Sequence, residues 1–118
     1  MRRLSHWCIA LLAAAPLAWL VLFYAFVLRA RLHLGYWPSP CRPDPKDVGL
    51  VAHQAAVYSY ADAALACCGV AVIWAWLLHW RSDRRLAWRI TAQIGGIVVG
   101  VIIVFFIDPG RFFEWFGD

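Results

Sequence analysis

The sequence predicts an all-α integral membrane protein of three transmembrane helices, with a proline-rich outer strap and a short interfacial C-terminal helix. Three observations lead there. Hydrophobic residues make up 64% of the 118 positions and charged residues only 15%, whereas soluble domains carry about a quarter charged residues. Three runs carry no Asp, Glu, Lys or Arg: Trp7 to Leu28, Ala63 to Trp80 and Ile90 to Ile107. Each approaches the roughly 20 residues that cross a hydrocarbon core of about 30 Å. The arginines gather at the ends of these runs rather than along a polar face, which is a membrane signature and argues against a nucleic-acid partner despite the net charge of +4. The whole of 1–118 reads as one membrane domain.

The first span is placed at about 6–29. Its basic start, Met1-Arg2-Arg3, and Ala13-Ala14-Ala15 imitate a signal peptide. The apolar run is longer than a signal core of about 7 to 15 residues, and Pro16 follows the alanines, so a retained helix is expected, with Pro16 either kinking it or absorbed by a neighbour's packing.

The strap covers 30–47 and contains "GYWPSPCRPDPKD", with four of the six prolines between Pro38 and Pro45. Trp37-Pro38-Ser39-Pro40 and Arg42-Pro43 cannot continue a helix, because proline removes a donor and forces its predecessor into extended geometry. Asp44-Pro45-Lys46-Asp47 then reads as a helix start, with Asp44 as N-cap, Pro45 at the first position and Asp47 able to reach back. This strap resembles the inter-helix segment of small uncharacterised bacterial multi-span membrane proteins that share Gly-x-Trp-Pro-x-Pro followed by Asp-Pro-Lys. The resemblance covers about a tenth of the chain and implies a bacterial membrane setting without a defined activity.

The second span is expected at about 57–80. A helix running unbroken from Pro45 to Trp80 would be about 54 Å long, so it should either project beyond the bilayer or bend near Gly49 or Ser59. The turn "RSDRR" leads into the third span, about 88–107. Small residues mark seams in lipid, where helices associate by close approach rather than by exclusion of water. Ser59, Ala63, Ala66, Gly69 and Ala71 on the second span, and Gly95, Gly96 and Gly100 on the third, serve either an internal hairpin or self-association. After the third span, Asp108-Pro109 repeats the helix-start chemistry before "RFFEWFGD", whose aromatic residues suit the membrane boundary. Trp7, Trp80, Trp88 and Trp115 are expected in the aromatic belts, and Trp19, Trp74 and Trp76 inside.

Basic residues number six on the side of the N-terminus and turn and five on the strap side, with the arginines most dense around the short turn. The positive-inside rule then puts the N-terminus and turn in the cytoplasm of a bacterial inner membrane, and the strap and C-terminus outside.

No nucleophile–base pair, phosphate loop or metal-ligand spacing occurs, so neither an enzyme nor a bound cofactor is expected. The four cysteines include no CxxC, and Cys41 is the only one on the outer side. The polar residues singled out are Asp62, Tyr58, Asp44, Asp108 and His53. Asp62 is the only acid adjoining the apolar body of a span, with Tyr58 one helical turn before it as a hydrogen-bond partner; intramembrane acids are functional candidates. His53 pairs in depth with His33, and His6 with His79, an arrangement open to haem ligation or to ordinary boundary contacts. The expected role is a small non-enzymatic structural or accessory subunit embedded in the lipid bilayer, a homo-oligomer or part of a larger membrane complex. The alternatives are a transporter or channel component using Asp62, or a haem-binding redox subunit. The outer layer of Asp44, Asp47, Asp108, Glu114, Arg42, Lys46 and Arg111 either seals the bundle, the favoured reading, or docks a partner.

Overall fold

The computed structural model describes residues 2–40 and 44–117. Cys41, Arg42, Pro43 and Asp118, on which parts of the strap and boundary readings rest, lie outside the described residues. Helices α1 (Arg2–Ala13) and α2 (Ala15–Leu34) together form the first span; α3 (Val51–His79), α4 (Arg84–Ile107) and α5 (Phe112–Gly117) follow, with a short 3₁₀ turn at Pro45–Val48. No strand occurs among the described residues, and three helices, α2, α3 and α4, are long and apolar enough to cross a membrane. The chain is an all-α, three-span protein.

The first span breaks where Pro16 demands it. Pro16 lacks an N–H for Leu12 and its ring crowds that carbonyl, and the helix is interrupted at Ala14, whose ψ is −7°. Bonds from Ala14 N to Ala10 O and from Ala18 N to Ala14 O, both 3.0 Å, carry the chain across the break. Helix α2 stops at Gly35, which takes φ of 78° and donates to Arg31 O, a left-handed cap that glycine adopts without a Cβ penalty. The strap then folds back: the Arg31 guanidinium lies 4.0 Å over the Trp37 ring, and Trp37 meets Phe112 of α5.

The Asp44-Pro45 start makes only the one 3₁₀ turn. Gly49, at φ of 79°, ends it, and α3 begins at Val51. The bend expected near Gly49 or Ser59 is therefore at Gly49. At the other end Asp83 turns the chain, its carboxylate accepting from Leu86 N at 3.1 Å to cap α4.

Two clusters hold the bundle. Near the strap, Phe23, Phe26, Val27 and Ala30 of α2 pack with Val48, Val57, Phe113, Trp115 and Phe116. Towards the turn, Ile9 and Ala13 of α1 meet Cys68, Ala71 and Ala75 of α3 and Ile94 of α4. Helix α3 is the axis, touching α1, α2 and α4.

The glycine seam does not build the α3–α4 hairpin. Gly95, Gly96 and Gly100 are exposed, and a Cβ on any of them would meet nothing within 4 Å. The small residues of α3 that are buried are Ala71 and Ala75, both fully so, in the cluster shared with Ile9 and Ala13 of α1 and Ile94 of α4.

These placements give opposite expectations for two enlargements. Ala75→Leu should cost about 1–3 kcal/mol through overpacking and lower the unfolding midpoint in detergent. Gly100→Leu should leave the midpoint of the monomer unchanged or raised. Equal losses would show that α4 packs through its glycines.

Candidate functional site

Four of the five polar residues singled out lie at the strap end, and three of them are engaged in one assembly there. Asp108 both ends α4 and starts α5. It adopts φ of 42° and donates its N–H to Val104 O, while its two carboxylate oxygens accept from Phe113 N at 2.8 Å and Glu114 N at 3.0 Å. Pro109 lies in the intervening turn, so α5 begins at Phe112 and not at the proline. The turn holds a second non-glycine residue in the left-handed region, Arg111 at φ of 57°, beside Gly110 at 84°. Such conformations cost roughly 1–2 kcal/mol for an L-residue and persist here because the capped α5 is held on both sides.

The assembly points α5 inward. Phe113, Trp115 and Phe116 are buried, where a face lying on the membrane boundary was expected; Trp115 is thus core and not part of an aromatic belt. Phe113 stacks on Phe23 with centroids 4.1 Å apart and planes 5° from parallel, and Phe116 meets Phe23 and Phe26 edge-on. Such ring pairs are worth about 0.5–1.5 kcal/mol each beyond the area they bury. The short helix bends in because the Asp108 cap directs its first turn back over α2, where aromatic rings wait.

Tyr58 completes the anchor. Its hydroxyl donates to Phe116 O at 3.1 Å, tying α3 to α5, so it is not the partner of Asp62. His53 joins α3 to α2: its Nε2 is 3.0 Å from Leu22 O and its Nδ1 3.0 Å from Arg29 Nη1. A guanidinium only donates and a carbonyl only accepts, so the imidazole is the neutral Nε2–H tautomer. Trp19, placed inside as expected, donates to Val57 O at 2.9 Å. Asp44 is exposed and its carbonyl receives Asp47 N at 2.9 Å. The pair of Arg111 with Glu114 is bidentate, at 2.7 and 2.6 Å, and this hydrogen bonding holds the Glu114 carboxyl below its ordinary range.

The histidines divide differently from their depths. His33 is exposed and does not meet His53. His6 and His79 do come together, with ring centroids 5.4 Å apart and 46° between planes, and the buried His79 Nε2 has no hydrogen-bond partner. Two axial ligands to one iron, at roughly 2 Å per metal–nitrogen bond, would stand further apart and face each other. Among the described residues no group of three or more His, Cys, Asp or Glu side chains is placed to hold a metal ion.

Asp62 stands apart. It is exposed, on the face of α3 opposite Val57, Ala64, Cys68, Ala71 and Ala75, which are buried in the bundle. Two cross-links fix its height: His53 with Arg29, and the Trp76 indole donating to Thr91 Oγ1 at 3.0 Å. At 1.5 Å per residue, Asp62 lies about 14 Å along α3 from the first and about 21 Å from the second. On α4 the same rise puts the Asp108 cap about 25 Å from the Trp76–Thr91 level, so the charged turn of Asp108, Arg111 and Glu114 lies within roughly 5 Å of the depth of Asp62.

Comparison with protein-family models, with curated proteins and with solved structures returns no match.

Sequence reasoning missed the cap at Asp83, the Trp19 and Trp76 donors and the Arg29–His53 bond. The Ser-Asp pair before an apolar run is a cap signal that would have revealed Asp83; the others depend on tertiary placement.

Removing the Asp108 cap with Asp108→Ala should cost about 0.5–2 kcal/mol, seen as faster hydrogen exchange across 112–117 with α3 unchanged. Gly110→Ala should do the same: its Cβ would lie 2.7 Å from Phe112 Cε2 at a φ that disfavours any side chain. Acid should weaken the same region. With the folded value lowered, the contribution of Glu114 is complete above the ordinary carboxylate value of about 4.3 and is lost as pH falls through the lower folded value. Protection of α5 against exchange, taken relative to the intrinsic rate at each pH, should fall there in the wild type and fall less in Glu114→Gln.

Proposed function

We propose that this chain is a small non-enzymatic accessory subunit of a bacterial inner membrane, working by lateral association with itself or with a larger membrane complex. The observation that carries it is the uneven covering of the spans. Helix α4 has 6% of its most apolar window buried, against 22% for α2 and α3, and its bare face holds Gly96 and Gly100 in the spacing that lets two helix backbones approach closely. The polar side chains with resolved partners support the same reading. Tyr58, His53, Trp19, Trp76, Asp83 and Asp108 are all committed to holding helices together.

The arginine-dense turn supports a cytoplasmic N-terminus, with strap and C-terminus outside, and the strap resemblance supports the bacterial setting. The strap-end layer then seals the bundle, in keeping with the buried α5.

Co-purification in mild detergent, with the purified complex weighed by mass spectrometry, tests the proposal. The expected outcome is a species heavier than one chain, reduced by Gly96→Leu/Gly100→Leu or by substitutions on α3. A homogeneous monomer from native membranes would overturn it. Proton or ion flux in liposomes that Asp62→Asn abolishes would replace it with a transport role.

A further inference from the structure

The turn between α3 and α4 gathers charge that the fold does not neutralise. Arg81, Arg84, Arg85 and Arg89 stand with one acid, Asp83, so four positive charges face one negative. Asp83 is committed to Leu86 N as the cap of α4, and the first turn of α4 holds no acidic residue. Arg84 and Arg85 therefore sit at the positive end of a helix dipole, where anions are favoured and cations are not. An anion bound there relieves both repulsions.

One guanidinium is already positioned for it. Arg84 donates its Nε–H to Trp80 O at 3.3 Å and lies 4.9 Å over the Trp80 ring. The stack fixes the guanidinium plane, and its two Nη groups have no partner among the described residues. Two parallel N–H donors of this kind match two oxygens of a phosphate. The ring beneath Arg84 is also the end wall of a groove. Val72, Ile73, Trp76, Leu77 and Trp80 line an apolar cavity of about 260 Å³, which runs about 12 Å along α3 at 1.5 Å per residue. Trp76 is held as its wall by the bond to Thr91 Oγ1 and by Trp88, edge-on at 5.2 Å. The turn joins two spans, so Trp80 and Arg84 mark the boundary end of the groove and Val72 the end inside the span.

We infer that this turn binds an anionic phospholipid, with its phosphate on the Nη groups of Arg84 and an acyl chain in the groove below Trp80. Charge selects the headgroup. A glycerol-type headgroup leaves the phosphate uncompensated, whereas an ethanolamine headgroup would bring an ammonium among four arginines. The groove selects a lipid over a free phosphate. Basic residues beside a span attract anionic lipids in general; the stacked Arg84 gives one position a geometry that a diffuse cluster lacks. The inference rests on the three-span fold and is independent of the accessory-subunit reading.

The test is native mass spectrometry of the full chain released from vesicles of equal phosphatidylglycerol and phosphatidylethanolamine with the same acyl chains. The wild type should retain phosphatidylglycerol about fivefold over phosphatidylethanolamine, the preference that one arginine near a membrane surface supplies. Arg84→Gln should remove that preference, and Arg84→Lys, which keeps the charge without the fork, should keep only part of it. Arg89→Gln removes the same charge about 140° round α4 and should leave the preference unchanged. Inorganic phosphate in excess should not displace the lipid. Exchange across α3 equal to that of the wild type establishes that each variant is folded. Equal retention of the two lipids overturns the inference, and so does an equal loss in Arg84→Gln and Arg89→Gln, the mark of diffuse attraction. Displacement by phosphate assigns the arginines to a soluble anion and overturns it as well.

Discussion

The strap end of this protein depends on one carboxylate. Asp108 ends α4 in a left-handed residue, turns the chain, and accepts two backbone N–H groups at the start of α5. A six-residue helix is too short to be stable by itself. With its first donors taken up by Asp108 and its last described turn bonded to Tyr58, α5 is fixed at both ends and can deliver Phe113, Trp115 and Phe116 into the bundle. Without the cap, two costly left-handed residues would buy nothing, and Phe23 and Phe26 would lose the rings that cover them.

The same economy governs the contacts between long helices. In hydrocarbon, apolar faces gain little by leaving lipid, so helices are joined by close packing and by polar side chains that reach across. Here those side chains bond carbonyls that already belong to a helix: Trp19 to Val57 O and His53 to Leu22 O. A helical carbonyl has a second lone pair, so the acceptor gives up no backbone bond. At the turn end, Thr91 relays the Trp76 indole onto Ala87 O by the same device. Each bond sits beside an aromatic cluster or a pair of alanines, where the backbones are close enough for it to form.

Much of this was legible in the sequence, and the parts that were not share a cause. Run lengths and flanking arginines gave three spans, because the bilayer imposes a length on any helix that crosses it. Pro16 marked one of two outcomes for the first span, the break, and Gly49 one of two places for the bend after the strap, since local sterics are written in single residues. The facing of helices was not legible. Gly96 and Gly100 were open to an inner seam or to self-association and lie outside, whereas of the small residues on the second span Ala71 is buried, with Ala75 beside it; the aromatic residues of α5 suited a membrane surface and are core. An amphipathic pattern distinguishes water from interior, but lipid and interior are both apolar, so composition alone could not assign these faces. At the site, Asp108 read as a helix cap and does accept the first donors of α5; His53 was singled out for its depth beside His33 and bonds α2 instead, and Tyr58 was matched to its helical neighbour Asp62 when its partner came from 58 positions along the chain.

The isolation of Asp62 follows from this scheme rather than standing as an exception to it. His53 and Trp19 reach carbonyls on adjoining helices from inner faces, and Tyr58 reaches α5 from the face it shares with Asp62. The carboxylate is flanked by alanine, serine and glycine, and the charged turn of Asp108, Arg111 and Glu114 lies within roughly 5 Å of its depth. Were its role to cap or brace the bundle, a position one residue further round the helix would bring it to α2 or α4. At the depth of that charged turn the boundary is close, and a carboxylate there costs the monomer less than one at the middle of a span.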